Sequence, residues 1–237
     1  MTDTVCIAAF YHGPPDSGHG GYTSGLIAQL MPADTVEVTL RTPPPLDRPL
    51  TVQRDGEALR VTDGETLVAE AAPSDADVTA NVPPAVSYGD AVLASIDYPG
   101  FKSHLTPSCF VCGPSREPRE GLRIFPGPVR GRDVVAAALV PEAHLAGEDQ
   151  QVKPEFVWAA LDCPSGWAVT EFVPGREALL GRLTARLVTP MIAGKRYSVM
   201  GWRLDTDGRK MRSGSALFDD AGRLCASARA IWIRQRD

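Results

Sequence analysis

The stretch VEVTLRTP, residues 36–43, returns in outline as LTARLVTP, residues 183–190. Carried on without a gap, residues 47–52 fall on residues 194–199. Further along, Arg54-Asp55-Gly56 resembles Thr206-Asp207-Gly208, and LVAEA at 67–71 resembles LCASA at 224–228. Identities are few, but one order of features is used twice. An internal repeat of this kind fixes the architecture before any local pattern does. It predicts two copies of one α+β unit fused in tandem.

The repeated elements are legible one by one. Residues 36–41 and 183–187 alternate with the period of two expected of half-buried strands. The Thr-Pro that follows each run ends or bends it, because proline cannot donate to a ladder. Second strands are expected at 50–54 and 197–204, third strands at 58–62 and 211–218, and last strands at 66–71 and 224–233. Asp55-Gly56 and Asp207-Gly208 are hairpin signals, and Asp63-Gly64 and residues 219–222 supply the next turn. Each half therefore predicts an antiparallel meander.

One helix precedes each meander. The first, at 21–30, carries Tyr22, Leu26 and Leu30 on one side. The second, at 154–163, opens with Pro154, which suits a first helical turn, and is apolar nearly all round from Phe156 to Leu161. Pro164 is expected to end or kink it. An all-round apolar helix is buried on every side. A buried helix wrapped by a curved antiparallel sheet is the hotdog arrangement, so the expected fold is a double hotdog: a first unit at 1–100, a connector with a Cys109-x2-Cys112 loop at 101–118, and a second unit at 119–237. Residues 73–118 are rich in Pro, Gly, Ser and Asp and read as a long connection with one helix at 88–96. Residues 122–125 and 134–140 read as the opening strands of the second half.

The 237 residues suffice for one large domain or two small ones with a buried core. The formal net charge is −5 with acids and bases interspersed. Neither a nucleic acid nor an anionic membrane surface is indicated as a partner. Small molecules, or a second copy of the chain in a homodimer formed through the sheets, are the expected partners. Residues 1–10 lack the basic start and long apolar run of a signal peptide. No stretch reaches the ~18–20 apolar residues that span a bilayer, so the expected location is the cytoplasm. Five cysteines, an odd number, read there as thiols. A structural zinc needs four ligands. Cys109, Cys112 and His104 would supply three, so two packed thiols are the default, and neither a metal nor another cofactor is expected.

Two places could carry chemistry. At His19-Gly20-Gly21 the glycines let backbone N–H groups approach a ligand. A helix N-terminus adds unpaired donors and partial positive charge, which would stabilise an oxyanion. The same glycines could merely fit a tight turn. Asp162 is a carboxylate in an apolar helix, which is costly unless it is paired or functional. Burial would lift its pKa towards the range of a general base. It could also be a capping residue before Pro164. Thr23, Ser24, His12 and Trp158 are candidate substrate contacts. Arg182, Arg186, Lys195 and Arg196 could meet phosphate groups or be solvated charges.

The sequence resembles the hotdog thioesterases of the phenylacetyl-CoA type, on His19-Gly20-Gly21 with the helix that follows and on the segment ending Leu161-Asp162. In that family the motif is His-Gly-Gly, six residues, then Asp. The resemblance implies that glycine N–H groups form the oxyanion hole, that the Asp is nucleophile or general base, and that the substrate is an acyl-CoA or a related acyl thioester. The first half keeps His-Gly-Gly but has Ala28 in the Asp position. The second keeps Asp162 but has Lys153-Pro154-Glu155 in place of the glycines. Along one helix a glycine and an Asp seven residues later lie ~10 Å apart, so two antiparallel helices must each donate one part. The complementary losses predict one composite site of His19, Gly20, Gly21 and Asp162, and one dead site near Ala28 and Glu155. Hydrolysis is the leading expectation. A hydratase or dehydratase of acyl thioesters and a non-catalytic acyl-thioester binder are its rivals.

Overall fold

The computed structural model describes residues 3–170, 172 and 177–235. Met1 and Thr2, the start of the segment tested above for a signal peptide, lie outside the described residues. Eleven strands form one antiparallel sheet. In chain order they are β1 (Asp3–Cys6), β2 (Thr35–Leu40), β3 (Pro49–Asp55), β4 (Ala58–Asp63), β5 (Thr66–Pro73), β6 (Gly127–Pro128), β7 (Val135–Leu139), β8 (Ala178–Leu187), β9 (Tyr197–Asp207), β10 (Lys210–Asp219) and β11 (Leu224–Arg234). Three α-helices accompany them: α1 (Gly20–Ala28), α2 (Tyr88–Ile96) and α3 (Pro154–Trp167).

The spatial order is β1-β3-β4-β5-β2-β8-β11-β10-β9-β7-β6. Apart from the short β6, it reads the same from either edge once β2 is matched with β8, β3 with β9, β4 with β10 and β5 with β11. The two halves meet where β2 pairs with β8, Val38 opposite Leu183. These are the two strands that begin the repeated sequence. The hairpins fall at the Asp-Gly steps, where Gly56 and Gly208 take φ of +61° and +57°, a conformation that costs glycine nothing.

Both central helices lie inside the curve of the sheet. Seven of the nine residues of α1 are buried, and thirteen of the fourteen of α3. They cross antiparallel at very short range. A Cβ on Gly21 would sit 2.5 Å from Cβ of Asp162 and 2.8 Å from the Trp158 carbonyl oxygen, and one on Gly25 would sit 2.6 Å from Cα of Glu155. Glycines four apart on α1 thus let the two backbones touch, as small residues do wherever helices pack closely.

Several expectations are corrected. α3 runs through Pro164 to Trp167. The Ser165 hydroxyl donates to the Asp162 carbonyl at 2.7 Å, adding a bond beside the proline. Residues 122–125 are not a strand. Leu122 and Ile124 donate their backbone N–H groups to the Phe110 and Val111 carbonyls, and Arg123 takes φ of +52°. Their alternation comes from packing on the 109–112 loop and not from the sheet. The β9 and β10 strands are buried on both faces over much of their length, because α2 and residue Val86 pack against Met200, Trp202, Ala216 and Phe218 on the outer side. Ser198 and Ser227 donate to the Val86 and Val78 carbonyls of that cover, at 2.7 and 2.6 Å. Among the described residues no helix is long and apolar enough to cross a membrane.

Gly25→Ala would set a methyl group 2.6 Å from Cα of Glu155 and should part α1 from α3. The expected destabilisation is about 1–3 kcal/mol, typical of overpacking a tight contact, read as a fall in melting temperature. An unchanged melting temperature would show that the seam can relax.

Candidate active site

α1 starts at Gly20 because His19 caps it. The Tyr22 N–H donates to His19 Nδ1 at 3.2 Å. An Nδ1 that accepts carries no proton, so neutral His19 holds its proton on Nε2. That atom lies 3.5 Å from Asp162 Oδ2 and 3.3 Å from Cys163 Sγ. The Gly21 N–H donates to the same Asp162 Oδ2 at 2.6 Å. One carboxylate oxygen is therefore held by a helix N-terminus and an imidazole. The other, Oδ1, is buried and has no hydrogen-bond partner among the described residues.

The fold thus gathers His19, Gly20, Gly21 and Asp162 from two helices 141 residues apart in sequence. Burial pushes the Asp162 carboxyl up to about 6, although His19 and the Gly21 N–H both favour the charged form. Burial also works to depress His19, but Asp162 and Cys109 outweigh it and hold the imidazole above its ordinary value. The Gly21 N–H is taken by Asp162. The Gly20 N–H, on the same turn, has no partner among the described residues.

These groups sit on the floor of a cavity of about 710 Å³. His19, Gly20, Asp162, Cys109 and Cys163 line it below, and Leu40, Leu105, Phe172, Leu180 and Trp232 form much of its wall. The wall comes from both halves of the chain, from the end of β2 and the start of β8, with the 104–112 loop closing one side. Trp232 Nε1 donates to the Ser165 hydroxyl at 2.9 Å, so the wall is tied to the turn of α3 that follows Asp162.

The four residues read as substrate contacts are not part of this lining. Thr23 and Ser24 are fully buried between the helices and the sheet, and their hydroxyls have no partner. Trp158 is buried against Gly25. His12 turns its Nδ1 to the Gly13 carbonyl at 3.1 Å. The basic residues also lie elsewhere: Arg182 pairs with Glu37 at 3.0 Å, Arg186 with Asp34 at 3.7 Å, and Arg196 covers the Tyr88 ring. At the other end of the helix pair, Glu155 accepts from Gln29 Nε2 at 3.0 Å.

The sequence reading set His104 beside Cys109 and Cys112, and His104 Nε2 reaches Cys112 at 3.4 Å. It missed Cys163, which reaches Cys109 at 4.0 Å. Cysteine at 163, next to the singled-out carboxylate, was the available signal.

Several solved structures match almost end to end. A protein of Lactobacillus plantarum assigned as an oleoyl thioesterase aligns over 100% of this chain and 96% of its own, at 11% identity and a TM-score of 0.60. The tesB protein of Mycobacterium avium subs paratuberculosis aligns over 94% and 90%, at 11% identity and 0.59. A thioesterase superfamily protein aligns over 48% of this chain at 17% identity and 0.43, and the chain spans about half of it, 55%. No protein-family model matches the sequence, and no curated protein does. At such identities the full-length matches establish a fold, that of the hotdog thioesterases.

Asp162→Asn keeps an oxygen for the Gly21 N–H and removes the buried charge. A carboxyl raised from 3.8 to about 6 destabilises the folded state only when ionised. The penalty is absent below the lower value, grows through the window and is complete above it, where it amounts to roughly 3 kcal/mol. The Asn variant should melt higher than wild type at pH near 8, and the two should converge near pH 4. Thermal melts across that range check the sign. A lower melting temperature for Asn at pH 8 would mean that the ionised carboxylate stabilises the fold.

Proposed function

We propose that the chain is a cytoplasmic thioesterase built as two fused hotdog units, hydrolysing an acyl-CoA or acyl-carrier thioester at one composite site between them. The mirrored strand order about β2 and β8 supports the double architecture. The thioesterase names of the full-length structural matches agree with the chemistry. The observation that carries the reading is the Asp162 carboxylate: buried at the floor of an apolar cavity, fixed through Oδ2, and unpartnered at Oδ1.

In this reading the acyl chain occupies the apolar cavity. The thioester carbonyl oxygen accepts the Gly20 N–H, and the positive end of α1 steadies the charge that develops there. The Asp162 carboxylate takes a proton from the attacking water, or attacks the carbonyl itself. Hydroxide, or the carboxylate, adds to the carbonyl carbon, and collapse expels the carrier thiolate; on the second route water then hydrolyses the acyl–Asp162 anhydride. The His19 Nε2–H and the Gly21 N–H hold Oδ2, so the carboxylate cannot rotate away. A pKa of about 6 leaves the base mostly ionised at neutral pH while keeping it a useful proton acceptor. At the other end of the seam Glu155 Oε2 accepts from Gln29 Nε2, and that end is read as the silent counterpart.

The 3.5 Å approach of His19 to Asp162 also favours a second reading, hydration of an enoyl thioester by an acid–base pair. A panel of acyl-CoA and enoyl-CoA thioesters separates the two. Release of free CoA is expected, rising with pH through about 6 to a plateau, with Asp162→Asn slowing kcat by about 10²–10⁴. Undiminished CoA release by that variant would overturn the assignment of the base. Water addition to the enoyl substrate would select the second reading, and binding without turnover would make the chain an acyl-thioester binder.

A further inference from the structure

Beside Asp162 lies a row of buried sulfur that hydrolysis does not use. Cys112 Sγ donates towards Cys109 Sγ at 3.8 Å, and Cys163 Sγ lies 4.0 Å from Cys109 on the other side. All three are 3–5% exposed and all three line the cavity. Each end of the row meets an imidazole: His104 Nε2 at Cys112 and His19 Nε2 at Cys163.

Among the described residues, His19, Cys109 and Cys163 are the group whose ligating atoms lie within 4.8 Å of one another. A metal would need the Nε2 lone pair. Both histidines accept a backbone N–H at Nδ1, His19 from Tyr22 at 3.2 Å and His104 from Thr106 at 2.9 Å. Both therefore carry their proton on Nε2, which faces Cys112 from His104 and both Cys163 and Asp162 Oδ2 from His19. A ring nitrogen that carries its proton is a donor and not a ligand to a metal.

The neighbouring thiols converge on Cys109, Cys112 donating to it at 3.8 Å and Cys163 lying 4.0 Å away. We propose that Cys109 and Cys112 form an oxidisable dithiol site at the cavity floor, which takes a small hydroperoxide and closes to a disulfide. The two sulfurs sit on one turn, closed by the Gly113 N–H on the Cys109 carbonyl at 3.0 Å. The turn is anchored by the Tyr98 hydroxyl on the Cys112 carbonyl at 3.0 Å. Closure needs the sulfurs to move from 3.8 Å to the ~2.05 Å of a disulfide. The S–H groups of Cys112 and Cys163 hold Cys109 well below the usual thiol range, while burial keeps those two thiols up. The nucleophile is thus Cys109. Its thiolate attacks one peroxide oxygen, the O–O bond breaks, and hydroxide (or the alcohol) leaves, giving a sulfenic acid. The Cys112 sulfur then attacks Cys109, the S–O bond breaks, and hydroxide leaves with the Cys112 proton as water. Two thiols lose two electrons and the peroxide gains them.

The test uses the whole reduced chain and hydrogen peroxide, with thiols counted by alkylation after denaturation and by mass. Alkylated cysteines should fall from five to three, with the loss confined to the tryptic peptide 103–116, lighter by two hydrogens. Dithiothreitol should restore five. In Cys112→Ser the sulfenic acid on Cys109 should persist and be trapped by dimedone. Five alkylated cysteines after peroxide, a bridge from that peptide to Cys163, or one equivalent of zinc that survives dialysis and shields the thiols would each overturn the proposal. None of these readouts depends on thioester hydrolysis, so the two readings fail separately.

Discussion

The contact on which the rest depends is the one between the N-terminus of α1 and the flank of α3. A buried carboxylate is tolerable only when its charge is met, and Asp162 is met by the Gly21 N–H at 2.6 Å and by His19 at 3.5 Å. Both come from the opposite helix. Neither could reach it unless the helices touched backbone to backbone, which Gly21 and Gly25 permit. The glycines therefore have two roles that a sequence cannot separate. They free N–H groups at a helix start, and they remove the Cβ atoms that would hold the helices apart.

The fold was legible because its signals are local. Period-two runs, Asp-Gly turns and the repeated Thr-Pro each rest on the chemistry of a few consecutive residues. Where the reading failed, the deciding partner lay far off in sequence. Residues 122–125 alternate like a strand, yet their ladder is the 109–112 loop. Strands β9 and β10 carry serine and tryptophan on the face expected to meet solvent, because a segment more than a hundred residues earlier covers it. β1 and β6 are short and lie towards the two edges of the sheet, where few residues leave a period to detect.

The site was legible to the extent that its residues are costly. Asp162 stood out as a carboxylate among apolar neighbours, and His19 as the residue before two glycines. Thr23 and Ser24 were read from the helix start alone. A first-turn hydroxyl faces a ligand only if that side of the helix is open, and here the sheet and α3 close it. The thiols were illegible for a different reason. Cys109 and Cys163 are 54 residues apart, and nothing in either neighbourhood names the other.

The two ends of the helix seam are not alike. In a symmetric pair each end would carry the same carboxylate, the same glycines and the same charge. Here one end has Glu155, whose carboxylate accepts from Gln29 and closes the seam. The other has Asp162, whose Oδ1 is buried with no hydrogen-bond partner among the described residues. The thiol row lies at the Asp162 end, with Cys109 and Cys112 on the 104–112 loop and Cys163 on α3. That loop brings Cys109 beside His19, where it and Asp162 both work to raise the imidazole's pKa.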